Sequence, residues 1–367
     1  MKYESLKLNG KVYAKGDLLE LTNEKLSAKK IKDEEKSLYS FIQEWLAPTE
    51  TINLKTSGST GAPKFMTVKK THMVDSAKMT CAYFDITANT NALLCLSTDF
   101  IAGKMMVVRA FVSGCNLIVV EPSNNPLRRV TEKIDFVAMI PYQVQKVLNR
   151  KETKVIFDSI QNVIIGGAPV LHDFEKVLAN CPNNVYATFA MTETLSHIAL
   201  RKLSGKDRSE FFELLQGIKI SKNSEGCMIV DAPMLSDTLI ETNDIIEIAD
   251  ERHFKWLGRH DNVINSGGVK LYPERIEKKL SEVVKQNRFF IGSVKDAKFG
   301  EKVVMVVEGA ANEDMEKIKY DVERNIEKYE KPRQYFTVTR FIETPNGKVK
   351  RKETLQMALD SNLAKLS

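Results

Sequence analysis

The sequence predicts an α/β protein. A large N-terminal domain with mixed, mostly parallel sheets and helices should be followed by a small α+β C-terminal domain joined by a hinge. Two observations predict the large domain. Unbroken apolar runs recur between residues 93 and 189, and helix-like stretches separate most of them; strands buried on both faces by helices read as continuous apolar runs. A third observation predicts the second domain: past Gly258-Arg259-His260-Asp261 the spacing changes to a compact alternation of strands and amphipathic helices. The boundaries that follow are 1–260 and 261–367.

In chain order, residues 36–46 set Leu38, Phe41, Ile42, Trp45 and Leu46 on one helical face. Thr51-Ile52-Asn53-Leu54-Lys55 is a short β-like run before a glycine-rich loop. The buried strands are Leu93–Leu96, Leu117–Val120, Phe136–Ile140, Val163–Ile165 and Val185–Phe189. After about residue 217, Cys227–Val230, Ile245–Ile248 and His253–Leu257 read as short strands with hairpin turns, Asp250-Glu251-Arg252 among them. The C-terminal pattern has a helix over Pro273–Val284, with proline near its start, and strands at Phe289–Val294 and Val303–Glu308. A helical stripe of Met315, Ile318, Val322 and Ile326 follows, then a strand at Tyr335–Phe341.

Composition narrows the function classes. The 367 residues carry a net charge of +6, with 43% hydrophobic and 28% charged residues. That mild basic bias suits small anions such as nucleotides and argues against a nucleic-acid partner. The five cysteines (81, 95, 115, 181 and 227) are widely spaced, without a C-x-x-C motif. They are expected to be reduced core thiols, none of them in a metal-ligand cluster. No signal-type leader opens the chain, and the longest apolar run, 105–120, is broken by Arg109, Ser113, Gly114 and Asn116. The expectation is a cytoplasmic protein without an integral membrane segment; a homo-oligomer is compatible with the sequence.

Four motifs carry the chemistry. Thr56-Ser57-Gly58-Ser59-Thr60-Gly61-Ala62-Pro63-Lys64 combines hydroxyls, glycines and a lysine. Such a loop can bring backbone N–H groups and a mobile cation to phosphate, although the Walker spacing is absent; a polar surface turn is the alternative. Phe189-Ala190-Met191-Thr192-Glu193-Thr194 lies just past a predicted strand, where open α/β sheets bind ligands. Its Thr-Glu pair offers a hydroxyl for phosphate and a hard carboxylate for Mg²⁺, or else an ordinary helix N-terminus. The third is Gly258-Arg259-His260-Asp261 with the glycines Gly267 and Gly268 beyond it, and the fourth is Pro345-Asn346-Gly347-Lys348.

In their order and spacing these motifs resemble the adenylate-forming superfamily of acyl-CoA synthetases, adenylation domains and luciferase-like enzymes. The resemblance runs from about residue 50 to 352. Within the superfamily the chain is most similar to the o-succinylbenzoate–CoA ligases of menaquinone biosynthesis. Three stretches carry this: Met191-Thr192-Glu193-Thr194-Leu195-Ser196-His197, Ile264 through Pro273, and Pro345 through Arg351. The resemblance makes 1–260 an AMP-binding domain and 261–367 a mobile one. It implies that Thr56, Ser57, Gly58, Ser59, Thr60, Gly61 and Lys64 hold the β- and γ-phosphates of ATP. Gly167, Ala168 and Pro169 would line the adenine and Phe189 would stack on it. Thr192 would touch the α-phosphate and Glu193 would hold Mg²⁺. Asp244 would accept from the ribose hydroxyls, and Arg259 would contact ribose or phosphate. Asp261 would be the hinge, Gly268 would line the tunnel for coenzyme A, and Lys348 would be the catalytic lysine.

The chain departs from the family pattern in places. Phe189-Ala190 replaces Tyr-Gly, keeping the ring and losing a hydroxyl. Thr242-Asn243-Asp244 replaces Thr-Gly-Asp, with asparagine expected to tolerate a left-handed turn. Phe100 stands in a usual histidine position, and the region before the phosphate loop is short. The resemblance implies two half-reactions: carboxylate attack on the α-phosphate of ATP, then thiol attack on the acyl-adenylate. A second substrate carboxylate would need a cation or several donors. Lys104, Ser196 and His197 are the candidates, the alternatives being a snorkelling surface lysine and an ordinary helical histidine. A ligase for another aryl or fatty carboxylate, or a non-catalytic nucleotide-binding relative, are the rival readings.

Overall fold

A computed structural model describes residues 3–56, 64–285, 287–343 and 349–363. Strands β1 (Leu6–Leu8) and β2 (Lys11–Tyr13) form an antiparallel hairpin, and helices α1 (Lys15–Ser27) and α2 (Asp33–Leu46) follow. Helix α2 buries the predicted face, with Trp45 stacked on Phe111 at 5.9 Å between centroids. Its C-terminal carbonyls are capped by a buried lysine. The Nζ of Lys70 donates to the carbonyls of Glu44 (2.9 Å), Trp45 (2.9 Å) and Ala47 (2.8 Å). An ammonium has three donors, and a helix C-terminus leaves carbonyls unpaired and carries partial negative charge, so each side satisfies the other.

Strands β3 (Thr51–Thr56) and β4 (Lys64–Lys69) pair antiparallel, with Thr56 opposite Lys64. The candidate phosphate loop therefore connects the two strands of a hairpin; its residues Ser57, Gly58, Ser59, Thr60 and Gly61 lie outside the described residues. Then come α3 (Lys70–Phe84), β5 (Asn91–Leu94), α4 (Ile101–Ser113), β6 (Asn116–Val119), β7 (Phe136–Met139), α5 (Pro141–Leu148), α6 (Lys151–Ser159), β8 (Asn162–Ile165), α7 (His172–Leu178) and β9 (Asn184–Ala190). Strands β6, β5, β7, β8 and β9 are neighbours in that order, each pair parallel. Two cores result, one on each face. Helices α2, α3 and α4 cover one face of the sheet; α5, α6 and α7 cover the other. Parallel strands need crossover helices, and crossovers on both faces bury the strands completely, which is why they read as unbroken apolar runs.

The sheet continues antiparallel through β10 (His197–Lys202), β11 (Phe212–Leu214), β12 (Lys219–Lys222), β13 (Cys227–Asp231), β14 (Ile240–Ile248) and β15 (His253–Arg259), giving thirteen strands in the order β12-β13-β14-β15-β11-β10-β9-β8-β7-β5-β6-β1-β2. After a short 3₁₀ turn at His260–Asn262 a separate sheet begins. It contains β16 (Ile264–Ser266), β17 (Val269–Leu271), β18 (Phe289–Asp296), β19 (Gly300–Glu308) and β20 (Gln334–Val338). Helices α8 (Pro273–Leu280), α9 (Asn312–Asn325) and α10 (Arg351–Leu363) accompany it. Helix α8 starts at the expected proline and stops at Leu280, four residues short of the predicted end. All five cysteines are free and buried, and among the described residues no helix is long and apolar enough to cross a membrane.

Candidate active site

Because β8 and β9 are parallel neighbours, the loops after them emerge on one edge of the sheet. Gly167, Ala168 and Pro169 follow β8, and Gly167 and Pro169 are exposed there. The preceding Gly166 is fixed by a close approach: a Cβ on it would collide with the hydroxyl of Thr188 on β9. Thr188 donates to the carbonyl of Ile165 at 3.2 Å, tying the two strand ends together. Phe189 is half-buried on β9, with its ring edge-on to Phe254 (5.2 Å) and Phe212 (5.7 Å). Those supporting rings come from β15 and β11. Sequence reasoning misses them because contacts between distant strands leave no local pattern.

The segment after β9 is an irregular turn, not the helix N-terminus offered as the alternative, so Thr192 and Glu193 sit at a strand's carboxyl edge. Glu193 is exposed, and among the described residues nothing pairs with its carboxylate. Fully buried Thr194 organises the turn: its hydroxyl lies 3.1 Å from the Met191 carbonyl and 2.8 Å from the Ser196 carbonyl, and it accepts from the Met191 N–H at 3.2 Å. Next to it, buried Leu195 has φ 63°. A branched side chain in the left-handed region stores strain on the order of 1–3 kcal/mol, a pattern that clusters at functional sites.

Ser196 and His197 meet Arg109, not Lys104. Arg109 on α4 is 2% exposed, and its Nη2 donates to Ser196 Oγ at 2.6 Å. His197, also buried, places Nδ1 3.3 Å from Ser196 Oγ and Nε2 3.2 Å from Thr80 Oγ1. Thr80 Oγ1 also lies 3.3 Å from the Ser76 carbonyl. That arrangement lets Thr80 donate to the carbonyl and accept from His197 Nε2–H, leaving Nδ1 to accept from Ser196. Burial and the Arg109 charge both hold the His197 pKa well below its ordinary value, so the ring is neutral. Burial pushes the Arg109 pKa down to about 10, still cationic at neutral pH. Its Nε has no hydrogen-bond partner, and no carboxylate pairs with the group among the described residues. Lys104 lies five residues earlier on the same helix, about 140° around it. Its ammonium sits 4.4 Å from the centre of the Phe41 ring, half-buried. His197 opens a strand, so the alternative of an ordinary helical histidine is corrected.

Asp244 and Arg259 are register partners in β14 and β15. The Asp244 carboxylate is nearly buried, accepting from the Trp256 indole at 2.9 Å and lying 3.6 Å from Arg259 Nη1. Two acceptor oxygens are thus held beside a planar guanidinium fork, an arrangement suited to ribose hydroxyls and phosphate. Asn243 is in extended strand, so the expected left-handed turn does not occur. Its side chain instead donates to both carboxylate oxygens of Asp261 (3.4 and 3.2 Å), which also meets Arg259 Nη2 at 3.3 Å. Gly268 occupies the β16–β17 turn at φ +83°, exposed, and a Cβ added there would meet nothing within 4 Å. Lys348 lies outside the described residues. Just beyond it, Arg351 opens α10 and grips Glu277 of α8 through two parallel bonds of 2.6 and 2.7 Å.

Comparison with known proteins gives the chain its family. The family model for AMP-binding enzymes matches residues 10–223. The chain belongs to the AMP-binding enzyme family. It is 24% identical over 326 residues to the 2-succinylbenzoate–CoA ligase of Lactococcus lactis, covering 82% of this chain and 70% of that protein. It is likewise 24% identical over 312 residues to the enzyme of the same name from Haemophilus influenzae, covering 78% of this chain and 66% of that one. Among solved structures, an acyl-CoA synthetase (AMP-forming)/AMP-acid ligase II-like protein from Dyadobacter fermentans shares 34% identity at a TM-score of 0.61, covering 91% of this chain and 97% of that one. The o-succinylbenzoate CoA synthetase of Bacillus subtilis, solved with an acyl-adenylate, shares the fold at a TM-score of 0.68 and 18% identity, covering 82% of this chain and 68% of that one.

Proposed function

We propose that this family member is an AMP-forming acid–CoA ligase whose acid is 2-succinylbenzoate. The observation that carries the substrate is Arg109. A buried guanidinium without a counter-charge is destabilising by roughly 3–5 kcal/mol. It touches Ser196, three residues past Glu193. A substrate with a second carboxylate would supply the missing charge, with Ser196 and neutral His197 as further hydrogen-bonding groups. The relatives named as 2-succinylbenzoate–CoA ligases support the same substrate.

In the proposed mechanism ATP lies along the carboxyl edge of β8 and β9. Gly167, Ala168 and Pro169 border the adenine, the Phe189 ring stacks on it, and Asp244 accepts from the ribose hydroxyls. The exposed carboxylate of Glu193, which pairs with nothing among the described residues, fits Mg²⁺, which binds through one or two carboxylates together with substrate phosphates. When bound, that ion neutralises charge on the phosphates. The substrate carboxylate oxygen attacks the α-phosphorus and pyrophosphate leaves, with Thr192 and Lys348 stabilising the developing charge. The sulfur of coenzyme A then attacks the acyl carbonyl, and AMP leaves. The first reaction brings two anions together, so positioning and charge neutralisation are what the chain supplies.

Pyrophosphate release across a panel of carboxylic acids tests the reading. The wild-type chain should prefer 2-succinylbenzoate to analogues lacking the ring carboxylate. Arg109→Met should raise the KM for this acid by roughly tenfold or more, the loss of one charge-assisted contact, and leave the KM for ATP unchanged. Lys104→Ala should change it little. A different preferred acid, or unaltered acid dependence in a folded Arg109→Met variant, would contradict the substrate.

A further inference from the structure

Cys227 is not solitary, contrary to the expectation that no cysteine joins a metal-ligand cluster. Its Sγ, a Glu225 carboxylate oxygen and a His260 ring nitrogen all lie within 4.8 Å of one another, the sole such group of three among the described residues. His260 Nε2 is 3.5 Å from Glu225 Oε2. The three come from two places. Glu225 lies in the β12–β13 turn and Cys227 opens β13, and Asn223 Oδ1 accepts from the N–H groups of Glu225 (3.0 Å) and Cys227 (2.9 Å). His260 belongs to the 3₁₀ turn between the two sheets, 33 residues beyond Cys227. Sequence spacing could not show this, since strand order alone brings the elements together.

We propose that Glu225, Cys227 and His260 form a site for a thiophilic divalent cation of the zinc class. The set is a thiolate, an imidazole and a carboxylate, the ligand types such ions take, with a fourth position open to water. A thiolate and a carboxylate together balance a dipositive ion, whereas a hard ion such as Mg²⁺ would reject the sulfur. A cysteine coordinates as the thiolate, so binding releases the thiol proton. The site would also clamp the junction. His260 stands between Arg259 and Asp261, and an ion shared with the β12–β13 turn would fix it to the large sheet. This consequence rests on the proposed hinge at Asp261; the site itself does not.

Co²⁺ is the probe. Titrated into the full chain, it should give one equivalent of a species with a thiolate-to-cobalt charge-transfer band, displaced by Zn²⁺. Cys227→Ser should abolish the band. His260→Ala, a half-exposed position that leaves the core intact, should weaken Zn²⁺ binding by roughly 100-fold or more. Absence of the band in the wild-type chain, or its persistence in both variants, would overturn the site. Stoichiometric Zn²⁺ should slow steady-state thioester formation in the wild-type chain and not in His260→Ala. If the band forms and turnover is unchanged, the clamp is wrong. If 2-succinylbenzoate proves not to be the substrate, the cobalt result is unaffected.

Discussion

At the scale of single residues, charge and burial decide the roles. Lys104 and Arg109 are both cations on α4 in an apolar stretch, and the sequence offers no physical reason to favour either. Their angular separation does: one reaches the Phe41 face, the other the Ser196 face. A helix so apolar gives no amphipathic stripe from which to read orientation, so the sequence could not say which of the two cations meets Ser196. Neutral His197 makes a prediction about acid. Its folded pKa is depressed below 6.5, so below that pH the unfolded chain binds a proton that the folded chain refuses. Stability should be complete above pH 6.5 and should fall on acidification, with a slope from this residue approaching about 1.4 kcal/mol per pH unit. Denaturant melts of the wild-type chain and His197→Gln across pH 5 to 8 measure it. The variant should lose that part of the slope, and equal slopes would show that His197 titrates normally.

At the scale of elements, periodicity carried far and then stopped. The strands from β5 to β9 were legible because two-sided burial demands continuous apolar residues, and α8 because proline marks its start. The cap on α2 was not legible. Lys70 looks like any surface lysine until the fold sets it under three carbonyls. Nor were the turn-organising role of Thr194 and the indole of Trp256 on Asp244, both of which depend on contacts between elements. Gly268 offers two explanations that can be separated. Its φ of +83° penalises any side chain, whatever the size, while a coenzyme A tunnel would penalise bulk. Gly268→Ala and Gly268→Leu carry the same backbone strain. The tunnel assignment therefore predicts that leucine slows thioester formation well beyond alanine, with ATP–pyrophosphate exchange similar in both. Equal effects of the two substitutions on both steps would leave only the turn.

At the scale of the whole molecule, the second sheet and the large one meet through specific contacts. His172 reaches Glu282 at 3.1 Å and Lys278 reaches Glu210 at 3.4 Å, while within the small part Asn262 of the junction turn donates to Glu274 of α8 at 2.6 Å. The first two are exposed pairs worth little each, so they would do little to oppose the proposed rotation of the small part about Asp261. The Arg351–Glu277 pair is different. It lies inside the small part and ties the start of α10 to α8, so those two helices would move as a unit. Rotation predicts a split between half-reactions. Lys348→Ala should lose acyl-adenylate formation by orders of magnitude yet retain thioester formation from pre-made acyl-adenylate. Equal loss in both would speak against a lysine that serves one step only.

The most direct test of the account is the fate of ATP when the wild-type chain is supplied with 2-succinylbenzoate, coenzyme A and Mg²⁺. The expected result is one AMP, one pyrophosphate and one CoA thioester for each ATP consumed, with no turnover when the acid is omitted. Formation of ADP, or AMP released without a thioester of this acid, would contradict it.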